Sequence, residues 1–236
     1  MQVMQEMSTI CSLQDHRPGQ IRGLNHLRQQ DDMCSEEDIR AITCFTPGTG
    51  IATQAGLLPV EKLSVGDRIL TRDHGYQPIR WIGKRQVSCA RFPTTPNSLP
   101  VLIRADALGP GRPERDMIVS PRHRVLTTDR MHISMTGETE VLIEAGALVG
   151  QPGVMCVVPH HLTYVHVLFD QHEVILSDNL WSESFHLNRK AADALLHEQH
   201  TAIQDVFPEL RTQSDASLQV LARTCLTREN VLAHCA

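Results

Sequence analysis

The chain has 236 residues, enough for one domain with extensions or for two small domains. A net charge of −5, with 41% hydrophobic and 21% charged residues, fits a globular protein and argues against a broad nucleic-acid footprint. No window approaches the roughly 20 apolar residues of a membrane span, and Met1 to Gln20 carries no charged segment leading into an apolar one, so no secretory signal is visible.

Residues 1–43 are polar and rich in Gln, Asp and Glu, and they read as a leader or linker. Within them, Ser35-Glu36-Glu37-Asp38 can cap a short helix through Ile39 and Ile42. From Cys44 the pattern changes. Short β-like runs at 50–53, 68–71, 77–84, 101–104, 117–120, 124–127, 140–143, 162–169 and 173–176 alternate with Gly, Pro and Asp turns. Gln54-Ala55-Gly56 and Asp73-His74-Gly75 read as hairpin turns, and 59–67 as a one-turn helix running into a turn. This spacing predicts a mainly β domain over 44–187. With only 4% aromatic residues, its core must be largely aliphatic.

From 188 the period becomes helical. Asn188 is placed to cap a helix carrying Ala192, Leu195, Leu196, Ile203 and Val206, stopped by Pro208. A second helix is predicted from Asp215 through Leu218, Leu221 and Cys225, and a last turn from Thr227. Residues 188–236 thus form a helical extension with no catalytic signal of their own.

The seven cysteines are odd in number, irregularly spaced and without a Cys-x-x-Cys pair, so a reducing compartment is the simpler reading. Synthesis in the cytoplasm is expected, with signal-independent export left open. A reducing setting suits a reactive thiol, since the thiolate is the nucleophile. Cys44 heads the β region, and its sulfur can attack the carbonyl of the residue before it, Thr43. That attack closes a five-membered ring, and expulsion of the Cys44 nitrogen leaves a thioester. A histidine near that nitrogen can protonate it. A hydroxyl can hydrogen-bond the scissile carbonyl or its oxyanion. Ser120-Pro121-Arg122-His123 supplies both, if it forms a turn after a strand. Taken singly, Cys44 is more often a small buried apolar residue.

Cys44 to about Leu187 resembles the Hint superfamily, the Hedgehog/intein self-processing domains, and within it the bacterial Hint branch. Four blocks in order carry the likeness: 44–49 with 58–71, then 77–83, then 119–126, then 164–174 through 183–185. The resemblance implies a horseshoe-like all-β fold and an autocatalytic N–S acyl shift at Cys44, with His123 activating the amide. Ser120 stands where the family has Thr. Tyr164-x-His166 falls about where inteins place an Asp that positions the nucleophile. Asp170 and His172 are alternatives, Asp170 as the group that helps an incoming nucleophile attack the thioester. Inteins end on a His-Asn pair whose Asn cyclises. This chain instead reads Ser182-Glu183-Ser184, and Glu does not cyclise in that way, so splicing is not expected.

The expected activity is therefore cleavage of Thr43–Cys44. The chain's own N-terminal segment is the substrate, water or another small nucleophile the acceptor, and no cofactor is involved. The alternative is an inactive Hint scaffold used for binding or assembly. Cys156, His160, His161, His166, His172 and His186 crowd one stretch, but their spacing is no zinc pattern, and no metal is expected.

Overall fold

Glycine- and proline-marked turns divide the chain into short strands. A computed structural model describes residues 43–88, 98–211 and 219–235. The helix predicted at 35–42 lies outside them. The strands are β1 (Gly50–Thr53), β2 (Gly56–Pro59), β3 (Arg68–Thr71), β4 (Gly75–Pro78), β5 (Trp81–Ser88), β6 (Val101–Ile103) and β7 (Met117–Val119). They continue with β8 (Arg124–Thr127), β9 (Val141–Glu144), β10 (Val154–Cys156), β11 (His161–Leu168), β12 (Val174–Ser177), β13 (Leu180–Glu183) and β14 (Cys225–Leu226). The helices are short: α1 (Arg130–Thr136), α2 (Arg189–Asp193), α3 (His197–Val206) and α4 (Arg228–Cys235).

The largest sheet runs β14-β9-β8-β13-β12-β1-β3-β4, with β2 hydrogen-bonded to β1. A three-stranded sheet is ordered β10-β6-β7, and β5 pairs antiparallel with β11 along its whole length. The mainly β architecture predicted from the turn spacing is the observed one.

The β5–β11 ribbon explains where the second core lies. Its register sets Trp81 against Leu168, Gly83 against His166, Arg85 against Tyr164 and Val87 against Leu162. Side chains alternate faces along a strand, so these residues share one face. Around it gather Cys44, Phe185, Leu187, Ala191, Ala192, Leu195 and Ile203. The first core is shared by the large sheet, the three-stranded sheet and the other face of β11, and includes Ile51, Ile69, Val125, Ile143, Ile103, Val119, Val167 and Ile175.

Residues after 187 are stitched into the domain. The Asn188 side chain accepts from the Ala191 N–H at 2.9 Å, the predicted cap. The helix that follows is broken into α2 and α3 at Ala194 to Leu196. The second predicted helix is not formed over 219–226, where Cys225 and Leu226 pair in parallel with Leu142 and Ile143. Sheet-edge hydrogen bonds offered by β9 outweigh a weak helical period there, and Gln219 turns inward, its amide donating to Phe169 O at 2.8 Å. The predicted turn at Thr227 opens α4.

Candidate active site

The Cys44 junction is a single extended segment held on both edges. Phe45 donates to Val165 O at 3.0 Å and accepts from Val165 N at 2.9 Å. It also bridges Val119, at the end of β7. Ser120 N donates to Cys44 O at 3.1 Å, and the Thr46 hydroxyl donates to Ile118 O at 2.7 Å. Residues 44–46 therefore lie between β7 and β11. Thr46-Pro47-Gly48-Thr49 then turns the chain into β1. Pro47 presets φ, Gly48 takes φ +92°, and Thr49 N returns to Thr46 O at 3.3 Å.

This threading brings Ser120 and His166 to opposite ends of the Thr43–Cys44 bond. The Cys44 N–H donates to Ser120 Oγ at 3.0 Å. His166 Nδ1 lies 3.1 Å from Thr43 O, and its Nε2 lies 3.9 Å from Cys44 Sγ. A carbonyl only accepts, so Nδ1 carries the proton, and Nε2 presents its lone pair to the thiol. Ser120 was expected at the carbonyl. Instead it meets the bond at the nitrogen, because it continues the β7 edge alongside Cys44, and His166 meets the carbonyl from β11.

Ser120 to His123 forms the predicted turn, His123 N donating to Ser120 O at 3.0 Å. The His123 ring sits edge-on to Phe45 with centroids 4.4 Å apart. Neither of its ring nitrogens has a hydrogen-bond partner among the described residues. Burial pulls His123 down to about 4, against the nearby Glu183 charge. His166 is likewise held at about 4 by burial, although its bond to Thr43 O opposes the shift. Its ring stacks on Trp81 at 6.3 Å and meets Phe185 edge-on at 5.3 Å. Trp81 in turn lies across Gly83, where a Cβ would fall 2.1 Å from the indole. A glycine is needed at that point for the indole to reach His166.

Burial pushes the Cys44 thiol well above its usual range, while the Ser120 hydroxyl and the Arg85 charge pull it back. Cys44 is 2% exposed. An open cleft of about 680 Å³, lined by Arg72, Arg112, His132 and Trp181 among others, lies elsewhere and does not reach this site.

The remaining candidates divide. His172 is buried but does not touch Cys44. Its Nδ1 accepts from Ala222 N at 3.1 Å, which places the proton on Nε2, 3.2 Å from Glu183 Oε2. Glu183 also accepts from Arg124 Nη1 and from Arg124 N, both at 2.9 Å. Despite burial, the neighbouring Arg124 charge and the His172 hydrogen bond hold Glu183 down at about 2. Asp170 is not brought to the site. It is exposed, facing Arg80 across 3.4 Å. Among the described residues no group of three or more His, Cys, Asp or Glu side chains is arranged to hold a metal. No helix there is long and apolar enough to cross a membrane.

One residue of the site, Arg85, escaped the sequence reading, and another, Tyr164, was seen only within Tyr164-x-His166. Tyr164 is buried beside Cys44, with its hydroxyl unpartnered among the described residues. Arg85 is 8% exposed on the apolar face of β5. The signal for Arg85 was present: in Trp81-x-Gly83-x-Arg85-x-Val87 a charge occupies an inward position.

A family model for the Hint domain matches residues 43–189, from Thr43 to the start of α2. The chain belongs to the Hint-domain family. Among solved structures, this Hint chain is similar to the gp41-1 intein, at 11% identity and a TM-score of 0.34, covering 59% of this chain and 97% of that one. It is similar also to a splice-inactive AceL NrdHF class 3 split intein, at 12% identity and 0.39, covering 60% and 96%. A bacterial intein-like domain from Clostridium thermocellum is matched at 16% identity and 0.35, covering 60% and 97%. No curated protein matches the chain.

Proposed function

We propose that this Hint domain cleaves its own Thr43–Cys44 bond by an N–S acyl shift, without splicing. The observation that carries the reading is the His166 ring, whose two nitrogens face the Cys44 thiol and the Thr43 carbonyl oxygen. Neutral His166 accepts the thiol proton at Nε2 while its Nδ1–H supports the oxyanion. The S–C bond forms at the Thr43 carbonyl carbon, and the C–N bond to Cys44 breaks. The nitrogen gains one proton, so the net transfer is from sulfur to nitrogen. We assign His123 as the relay to that nitrogen: it gives its ring proton and regains the one His166 took from the thiol, so both imidazoles end neutral, and Ser120 keeps the Cys44 N–H oriented. Water or an added nucleophile then takes the acyl group.

In this reading residues 1–43 are the released segment, 44–187 the processing domain and 188–236 its extension. Asp170 has no assigned part. His172 acts through Glu183 as scaffold. Glu183 stands where a cyclising Asn would be needed, and its commitment to Arg124 supports cleavage at one end only.

Intact-mass spectrometry of the full chain with and without hydroxylamine tests the reading. Wild type is expected to yield 1–43 and 44–236, faster with hydroxylamine. Cys44→Ala is expected to remain whole. His166→Ala is expected to slow cleavage by about two to three orders of magnitude, the usual loss on removing an oxyanion donor. Identical masses for wild type and Cys44→Ala after long incubation would sink the proposal in favour of the inactive scaffold.

A further inference from the structure

Arg85 is an anomaly of the second core. It projects from the inward face of β5 and is opposed across the ribbon by Tyr164. Its one hydrogen bond among the described residues is a long one, Nη1 to Ala194 O at 3.4 Å. No carboxylate there pairs with it. A buried guanidinium without an anion is costly, and natural cores hold such charges where a partner or a function compensates. The elements around it carry Asp193 on α2 and Glu198 and Asp205 on α3, none of which pairs with Arg85 among the described residues. The side chains that α2 and α3 bury, Ala191, Ala192 and Ile203, are apolar. The groups that act on Cys44 are Ser120 just after β7, Glu183 from β13, Tyr164 and His166 from β11, and Arg85 from β5. Among these the Arg85 charge acts on both Cys44 and His166.

We infer that Arg85 is the electrostatic positioning residue of the self-processing site, the fixed cation whose missing counter-ion is the thiolate of Cys44. This rests on Cys44 being the nucleophile proposed above. Ionisation of the thiol creates the anion that Arg85 otherwise lacks, so a sulfur that burial and the Glu183 charge keep protonated has one nearby charge favouring its reactive form. The same cation disfavours an imidazolium at His166, so His166 returns its proton promptly and the charge collects on the reacting atoms. Tyr164, with a buried unpartnered hydroxyl across from Arg85, completes the wall on that side. Ala194 O, between α2 and α3, fixes where the guanidinium sits. The helical extension therefore sets the charge at the site without supplying a group to the chemistry.

The test reads the thiol rather than cleavage. The rate of Cys44 alkylation by iodoacetamide is followed from pH 7 to 10 on the peptide spanning the uncut Thr43–Cys44 junction of the full chain. Arg85→Gln keeps a donor for Ala194 O and removes the charge, whereas Arg85→Lys keeps the charge. The expected result is a rising limb displaced upward by about one pH unit in Arg85→Gln, a roughly tenfold slower reaction at fixed pH, with Arg85→Lys close to wild type. Superimposable profiles for wild type and Arg85→Gln would overturn the inference. Equal displacement in both variants would do the same, since the effect would then not be one of charge. If Arg85→Gln shifts the profile while wild type never cleaves, the inference stands and the self-cleavage reading falls.

Discussion

Two buried polar clusters lie within this domain, and they are built on opposite terms. Around Glu183 the carboxylate itself is fully engaged: it takes bonds from the Arg124 side chain, the Arg124 backbone and His172, whose other nitrogen accepts from Ala222, and only Arg124 Nε lacks a partner among the described residues. Around Cys44 the demands are left open. Both His123 nitrogens and the Tyr164 hydroxyl lack partners among the described residues, and Arg85 lacks an anion. Satisfied buried networks fix structure. Unsatisfied ones cost stability and are kept where the missing partner arrives during a reaction. The two clusters share a boundary, because the Glu183 charge also acts on His123.

The largest expected effect separates them directly. Glu183→Gln leaves Arg124 as a buried unpaired cation and is expected to lower stability by about 3–5 kcal/mol in urea denaturation. A loss below about 1 kcal/mol would contradict the view of this cluster as scaffold.

Acid probes the other cluster. His123 and His166 are neutral in the fold, with values near 4, against an ordinary value of 6.5. Between pH 6.5 and 4 the unfolded chain binds the extra protons, so stability falls as pH drops through that window. Glu183, held near 2, adds its own loss only below about 4.5. Thermal melts from pH 7.5 to 3 are expected to show decline beginning near 6.5, and the Cys44-dependent cleavage rate is expected to fall with it. A melt flat down to pH 4.5 would contradict the buried neutral histidines.

A smaller effect is expected from Gly83→Ala. The new methyl meets the Trp81 indole, and overpacking of this kind costs about 1–3 kcal/mol. The indole must leave His166, so cleavage slows and the tryptophan emission changes. Unchanged emission would show that the aromatic wall is not what orders His166. The smallest effect belongs to Asp170→Asn, at an exposed position paired among the described residues only with Arg80. Stability within about 0.5 kcal/mol of wild type is expected, with the cleavage rate unchanged. A tenfold slower rate would restore Asp170 to the site.

Much of the β framework was legible because turns and alternation coincide at β1, β3, β8 and β12. β13 was not, since Ser182 and Glu183 read as surface while both are buried. Only the fold supplies the Arg124 that makes such a glutamate an interior residue. The turn before β13 was a usable signal: Asp178 and Asn179 both take positive φ, as a two-residue hairpin requires. Cys44, Ser120 and His123 were visible as a motif, and His166 as a candidate. Which end of the peptide bond each one touches was not, because that depends on residues 44–46 being threaded between β7 and β11. Arg85 was overlooked because the strand through Trp81 was expected to end at 84, one residue short of it.

The threading of Phe45 bears on how cleavage would be detected. Its backbone is bonded to Val165 and its ring packs on His123, all on the C-terminal side of the Thr43–Cys44 bond. Scission there would leave the sheet pairing of Phe45 as it was. The strand pairings of the domain would not register the cut. A preparation judged intact by its folding could already consist of two pieces, distinguishable only by weighing the chain.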